Sequence, residues 1–286
     1  MYNVKGIEQK GCMLRQEKKG VEYLTFPAFS ESGIVKHLFS TRIGGVSEGI
    51  FSSMNLSFTR GDNEESVLEN YRRIAAVLSC SIDDFVCADQ THTTNIRLVT
   101  KEDRGKGVVK PKDYTDIDGL VTNEPGIMLV TFYADCVPLY FVDSVNKAVG
   151  LAHSGWKGTL GRIGSEMVRT MGEAFGTKAE DLTVAIGPSI CQECYEISKD
   201  IAELFMEAFP DSKVQEEILY ETVPGEKYHL NLQRANSFIF EECKIPKEQI
   251  YVADICTCHN PDYLFSHRAS KGKRGNLAAF LGLRKY

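Results

Sequence analysis

Residues 119–153 read GLVTNEPGIMLVTFYADCVPLYFVDSVNKAVGLAH, and this stretch decides the fold class. Four apolar runs, 119–122, 127–133, 138–143 and 148–153, are rich in β-branched and aromatic residues and are separated by Asn, Pro, Gly, Asp and Ser. Each predicts a strand bounded by turns. The gaps are far too short for the dozen or more residues of a helical crossover, so antiparallel neighbours are required. Outward from this block, 35–40, 182–186 and 250–254 carry the same strand signature.

Helical periodicity appears in four places. After Asp62, which forms a capping-box pattern with Glu65, Val67, Tyr71, Ile74, Ala75 and Leu78 share one face while Glu69, Arg72 and Arg73 lie on the exposed one. Residues 161–175 place Ile163, Met167, Met171 and Phe175 on one stripe, and shorter helices are predicted at 201–209 and 232–243. Residues 42–57 and 101–118 read as long loops, which often carry function. The expected fold is α+β: mixed β-sheets flanked by helices, layered as a single-domain sandwich. No repeat, low-complexity tract or Pro/Ser linker divides the chain, so 1–286 is expected to be one unit, with 1–34 an N-terminal extension and first strands.

At 43% hydrophobic and 25% charged, the composition is that of an ordinary globular protein. A net charge of −6 excludes a general nucleic-acid binder, because phosphate neutralisation needs a basic excess. Small-molecule partners are expected instead, with the protein a monomer or weak homodimer. Residues 1–20 mix Lys, Glu and Gln without an apolar core, unlike a signal or transit peptide. The longest apolar stretch, 127–142, is broken by Asp135 and falls short of the roughly 20 residues of a membrane span. A cytoplasmic protein is expected, its nine cysteines reduced.

Three side chains point to metal chemistry. His92 follows Gln90 at the end of a short strand-like run, Cys136 sits in Ala134-Asp135-Cys136-Val137-Pro138, and His153 closes an apolar strand. Two imidazoles and a thiolate suit zinc, and three protein ligands leave a coordination position open for water or substrate. A competing set, Cys191-x-x-Cys194 with Cys256-x-Cys258-His259, has the donor types of a closed structural site. Both readings stay open on residue types alone, beside buried free thiols.

Candidate anion contacts lie nearby. Ser154-Gly155-Trp156-Lys157-Gly158-Thr159 leads from a strand toward a helix, where unpaired N–H groups near Thr159 and Lys157 would attract phosphate. The loop from Ser40-Thr41-Arg42 through Gly44-Gly45-Val46-Ser47 to Asn55 offers Arg42 as a bidentate clamp. Asp135 is a candidate orienter or proton carrier beside the thiolate, with a turn-forming role as its alternative. Arg72 and Arg268 are further candidates for substrate contact, against ordinary exposed charges. Beyond Asp262 there are six Lys or Arg and no acid, which suits either phosphate attraction or a solvated terminal strand.

The motifs Phe39-Ser40-Thr41-Arg42, Gln90-x-His92, Ala134-Asp135-Cys136-Val137-Pro138-Leu139, Ala152-His153-Ser154-Gly155-Trp156-Lys157-Gly158 and Ile186-Gly187-Pro188 together resemble the YlmD/YfiH family. That family is also called the laccase-domain or polyphenol oxidoreductase family, and the resemblance runs from about Val35 to the C-terminus. It implies a purine nucleoside phosphorylase acting on adenosine, inosine, guanosine or methylthioadenosine with inorganic phosphate, with adenosine deaminase activity in the same pocket. It also implies that His92, Cys136 and His153 ligate zinc, and a fold related to cysteine hydrolases of the cytotoxic necrotising factor type. Thr93 stands where the family commonly has glycine, Lys157 where arginine is frequent, and Ser266-His267-Arg268 where an aromatic precedes arginine.

Phosphorolysis needs an anion pocket and a way to ease departure of the purine. The expectation is that the metal's open position polarises a substrate oxygen while Arg42 and Lys157 hold phosphate. Rival readings are a cysteine hydrolase with Cys136 as nucleophile and His153 or His92 as base, a copper-dependent polyphenol oxidase, and a non-catalytic metal-dependent partner module. With six His and no His-x-His pair, a multicopper Cu2+ centre is disfavoured relative to Zn2+.

Overall fold

The computed structural model describes residues 12–285, so the expectation made for the first eleven residues lies outside them. In chain order the strands are β1 (Leu14–Lys18), β2 (Val21–Thr25), β3 (Val35–Ser40), β4 (Phe85–Cys87) and β5 (Ile96–Leu98). They continue with β6 (Gly119–Thr122), β7 (Met128–Tyr133), β8 (Val137–Asp143), β9 (Ala148–Ser154) and β10 (Leu182–Ile186). The last are β11 (Glu196–Ser198), β12 (Leu219–Val223), β13 (Lys227–Leu230), β14 (Ile250–Val252) and β15 (Leu277–Leu283).

Two six-stranded sheets result, ordered β1-β2-β3-β15-β7-β4 and β14-β10-β8-β9-β6-β5, together with a three-stranded sheet β11-β13-β12. Both large sheets are mixed: β4 with β7, β5 with β6 and β10 with β14 are parallel, the other pairs antiparallel. The expected α+β class with mixed sheets is therefore the observed one. The sheets pack face to face through Phe39, Leu129, Tyr133 and Leu281 on one side and Tyr140, Val142, Val149 and Leu151 on the other. Helices cover the outer faces. Glu64–Leu78 lies on the first sheet against Leu38, Val130 and Phe280, and Ile163–Phe175 and Leu232–Glu242 lie on the second against Phe141, Ala152 and Val184. Coverage of both faces explains why β8 and β9 are apolar except at their C-terminal ends, Asp143 and His153-Ser154, and buried at every position.

The block at 119–153 divides between the sheets. β8 and β9 pair antiparallel, as do β6 and β9, whereas β7 crosses to the other sheet and pairs β15 and β4. The residues between β7 and β8 thus bridge the sandwich, and Asp135 takes a positive φ of 93° there. This rules out a continuous strand through Asp135 and makes it a turn residue.

Several local expectations change. Asn63, not Asp62, caps the first long helix by accepting from the Ser66 N–H, while Asp62 accepts from the side chain of Asn55. The predicted 161–175 helix begins at Ile163, because Arg162 adopts a left-handed φ of 59° that separates it from a short helix Trp156–Leu160. The basic C-terminal segment is no solvated strand: Leu277–Leu283 is buried at every position, between β3 and β7.

Candidate metal centre

His92, Cys136 and His153 converge from the loop after β4, the β7–β8 turn and the C-terminal end of β9. Their ligand atoms all lie within 4.8 Å of one another, with 3.9 Å between Cys136 Sγ and His92 Nε2. Each is positioned by a different device. His153 is the penultimate residue of β9, and its N–H donates to the Asp118 carbonyl at 2.8 Å. Cys136 lies on the sheet-to-sheet turn. His92, at φ 67°, sits on a loop held to β7 by Gln90, whose amide donates to the Phe132 carbonyl at 2.8 Å and accepts from the Phe132 N–H at 2.6 Å. That pair of hydrogen bonds gives the Gln90-x-His92 motif its physical reason.

Asp118 is the organiser that sequence reasoning missed. Its buried carboxylate accepts from the Thr91, His92 and Thr93 N–H groups and the Thr93 hydroxyl, and it meets His153 Nδ1 at 2.7 Å. One side chain therefore sets both the His92 loop and the His153 ring. With Nδ1 committed to Asp118, His153 presents Nε2 to the centre. Burial alone would raise the Asp118 pKa, but the bond to His153, that ring's charge and the backbone N–H groups outweigh it and hold the carboxyl below its usual range. The Cys136 thiol behaves alike: burial raises it, the neighbouring His153 and His92 prevail, and it falls to about 6. His153 rises to about 9, since the Cys136 thiolate and Asp118 overcome burial.

Room for an ion is built into the backbone. A Cβ placed on Gly155 would lie 2.8 Å from His92 Cδ2 and 3.2 Å from Cys136 Sγ, so any larger residue would crowd the donors. Zinc bonds of about 2.3 Å to sulfur and about 2.0 Å to nitrogen suit donor pairs at this separation. No fourth His, Cys, Asp or Glu among the described residues joins the trio. All three face a cavity of about 360 Å³, also lined by Phe58, Arg60, Lys112, Phe132 and Arg274. That is the size of a small-molecule site.

The other candidates fall elsewhere. Asp135 is nearly buried and accepts from the Thr257 hydroxyl and the Arg268 N–H, both at 2.7 Å, so it anchors a C-terminal loop. Ser40 Oγ accepts from the Ala278 N–H inside the first sheet, and Asn55 accepts from the Ser57 and Asn276 N–H groups. Arg42 donates to the Ser52 and Pro261 carbonyls and stacks on Phe265, outside the cavity lining. Arg268 donates to the Cys194 and Glu196 carbonyls, and Arg72 pairs with Glu69 on the exposed helix face. Lys157 is exposed, its Nζ over the Trp156 ring, and Thr159 is closed off in the core by Asn236.

The cationic side chains that do line the cavity are Arg60, Lys112 and Arg274. Lys112 pairs with Asp89. Arg274 is 8% exposed, makes no carboxylate contact among the described residues, and leaves its Nε without a partner; it donates only to Gly275 O and Asn276 Oδ1. Burial and the charge of Arg60 push its pKa down to about 10. In the sequence Arg274 is one of six Lys or Arg beyond Asp262. Nothing local distinguishes it; burial beside a second arginine does.

Residues 36–284 match the family model described as multi-copper polyphenol oxidoreductase laccase. The protein named "Purine nucleoside phosphorylase YlmD" from Bacillus subtilis is 36% identical, the match covering 86% of this chain and 88% of that one. The protein of the same name from Geobacillus stearothermophilus is 36% identical over 96% of this chain and 98% of its own. Among solved structures, the hypothetical protein YfiH of Bacillus licheniformis superposes with a TM-score of 0.87 at 32% identity, covering 94% of this chain and 99% of that one. The crystal structure of YlmD from Geobacillus stearothermophilus gives a TM-score of 0.84 at 34% identity, with 96% and 100% covered.

Proposed function

The chain belongs to the laccase-like YlmD/YfiH family, whose members include proteins named purine nucleoside phosphorylase, and from that premise we propose that it is a zinc-dependent purine nucleoside phosphorylase. Its substrates are adenosine, inosine, guanosine or methylthioadenosine with inorganic phosphate, and adenosine deamination uses the same cavity. The reading places the protein in the cytoplasm, where its thiols stay reduced.

The observation that carries it is Arg274. A buried guanidinium with no carboxylate partner is costly, and a bound oxyanion removes that cost. Arg274 and Arg60 thus replace Arg42 and Lys157 as the phosphate contacts. Phe58 and Phe132 line the same cavity, and aromatic side chains suit a purine. In the reaction a phosphate oxygen bonds to ribose C1′ as the bond from C1′ to the purine nitrogen breaks, and the phosphate's proton ends on the departing base. The arginines bind and orient phosphate and offset charge as it redistributes. His92, Cys136 and His153 would hold the metal, which when bound would supply Lewis acidity toward a substrate oxygen or water. Asp118 fixes the His153 tautomer throughout. The donor set argues against a multicopper centre, since only two of the six His reach the site.

Products formed from adenosine with and without phosphate, separated by chromatography alongside elemental analysis, test the proposal. Adenine and ribose 1-phosphate appearing only with phosphate are expected. Inosine alone reduces the function to deamination, and neither product overturns it.

A further inference from the structure

Four donors that the first centre leaves unused meet on loops hydrogen-bonded to Asp135. Cys191 precedes and Cys194 ends a single 3-10 turn (Gln192–Cys194), and Cys256 and His259 share the same two-residue spacing on the loop after β14. The ligand atoms of these four residues all lie within 4.8 Å of one another. Cys191 Sγ is 3.8 Å from His259 Nδ1, and the Cys191 N–H donates to Cys256 Sγ at 3.3 Å, a contact that favours the thiolate a metal requires. His259 Nε2 faces the Glu193 carboxylate at 3.9 Å, so Nδ1 is the nitrogen turned toward the sulfurs. Backbone bonds clamp the two loops together: the Ser189 N–H donates to the Ile255 carbonyl at 3.1 Å and the Thr257 N–H to the Ser189 carbonyl at 3.0 Å.

We propose that Cys191, Cys194, Cys256 and His259 form a second zinc site, closed by four protein ligands and structural in role. Three thiolates and one imidazole are a known structural zinc set, and four donors leave no position for substrate. The site does more than staple two loops. Thr257, within the ligand loop, donates to Asp135 Oδ1, and Arg268 donates from its backbone to Asp135 Oδ2 and from its guanidinium to the Cys194 carbonyl. Asp135 adjoins Cys136, so the second ion braces the turn that carries the thiolate of the first. This inference rests on the four side chains and stands whether or not the protein cleaves nucleosides.

The test uses the full chain, reduced, loaded with zinc and freed of excess metal. Elemental analysis is expected to give two zinc ions per chain, falling to one in Cys136→Ser and to one in a Cys191→Ser/Cys256→Ser double variant. Cobalt(II) added to the Cys136→Ser protein should give the thiolate charge-transfer absorption of a tetrahedral sulfur-rich site. Should the double variant not fold, alkylation of the unmodified protein decides. Cys191, Cys194 and Cys256 should react at least tenfold slower than after chelator treatment, while the half-buried Cys243 reacts at one rate in both. A single zinc that vanishes in Cys136→Ser, alkylation indifferent to chelator, or a disulfide between Cys191 and Cys256 in the loaded protein would overturn the proposal.

Discussion

Asp118 shows how much one carboxylate can decide. It ties three consecutive N–H groups of the His92 loop to the Nδ1 of His153, so two ligands from distant segments share one anchor. Replacing it with Asn keeps the size but removes the charge that favours an Nδ1-protonated ring. Zinc affinity is expected to fall by about 10- to 100-fold, read by competition with a chromophoric chelator. Unchanged affinity would mean that the metal needs no such orienter. Arg274 supports a second prediction at this scale. Arg274→Gln should raise the KM for phosphate by at least about tenfold, the cost of one charge-assisted contact, and leave the KM for nucleoside nearly unchanged. Equal effects on both constants would remove the arginine from phosphate binding. Neither residue was legible from its neighbours: Asp118 reads as a turn residue before a strand and Arg274 as one of several basic residues near the end.

Strand β3 carries a titrating group whose effect belongs to the element. His37 is 6% exposed, packs against Phe26 and Phe29, and accepts the Phe26 N–H on Nε2 at 2.8 Å. Burial, with the charge of Arg284 adding to it, lowers its pKa to about 4. The ring is therefore neutral when folded, while the unfolded chain takes up a proton near pH 6.5. Its contribution is fully present above about pH 6.5 and is lost as pH falls toward 4, in total roughly 3 kcal/mol. Between pH 7.5 and pH 5 the wild type is expected to lose about 2 kcal/mol more than His37→Gln, measured by urea unfolding. Parallel losses in the two proteins would refute the assignment. Elements with strong periodicity were readable, including the 119–153 strands and the face of Glu64–Leu78. Short edge strands such as β5 and β11 were not, because three residues set among polar neighbours carry no usable alternation.

At the scale of the molecule, the strand formed last in sequence lies in the middle of a sheet. β15 pairs β3 and β7, and Phe280 packs on Phe85 with no exposed surface. Phe280→Ala should cost about 3–5 kcal/mol in denaturant unfolding, with zinc content at 4 °C unchanged. A loss below 1 kcal/mol would show that the first sheet does not depend on its C-terminal strand. Among the described residues no helix is long and apolar enough to cross a membrane. By itself the sequence determined the class of fold, the positions of the strongest strands and helices, and the three side-chain types that suit a metal, because periodicity and donor chemistry are local properties. Which strands share a sheet, that β7 and β8 part company, that Asp118 serves two histidines, and that Arg274 lies buried beside Arg60 were decided only in three dimensions. These facts depend on contacts between segments far apart along the chain, and no local pattern encodes the partner.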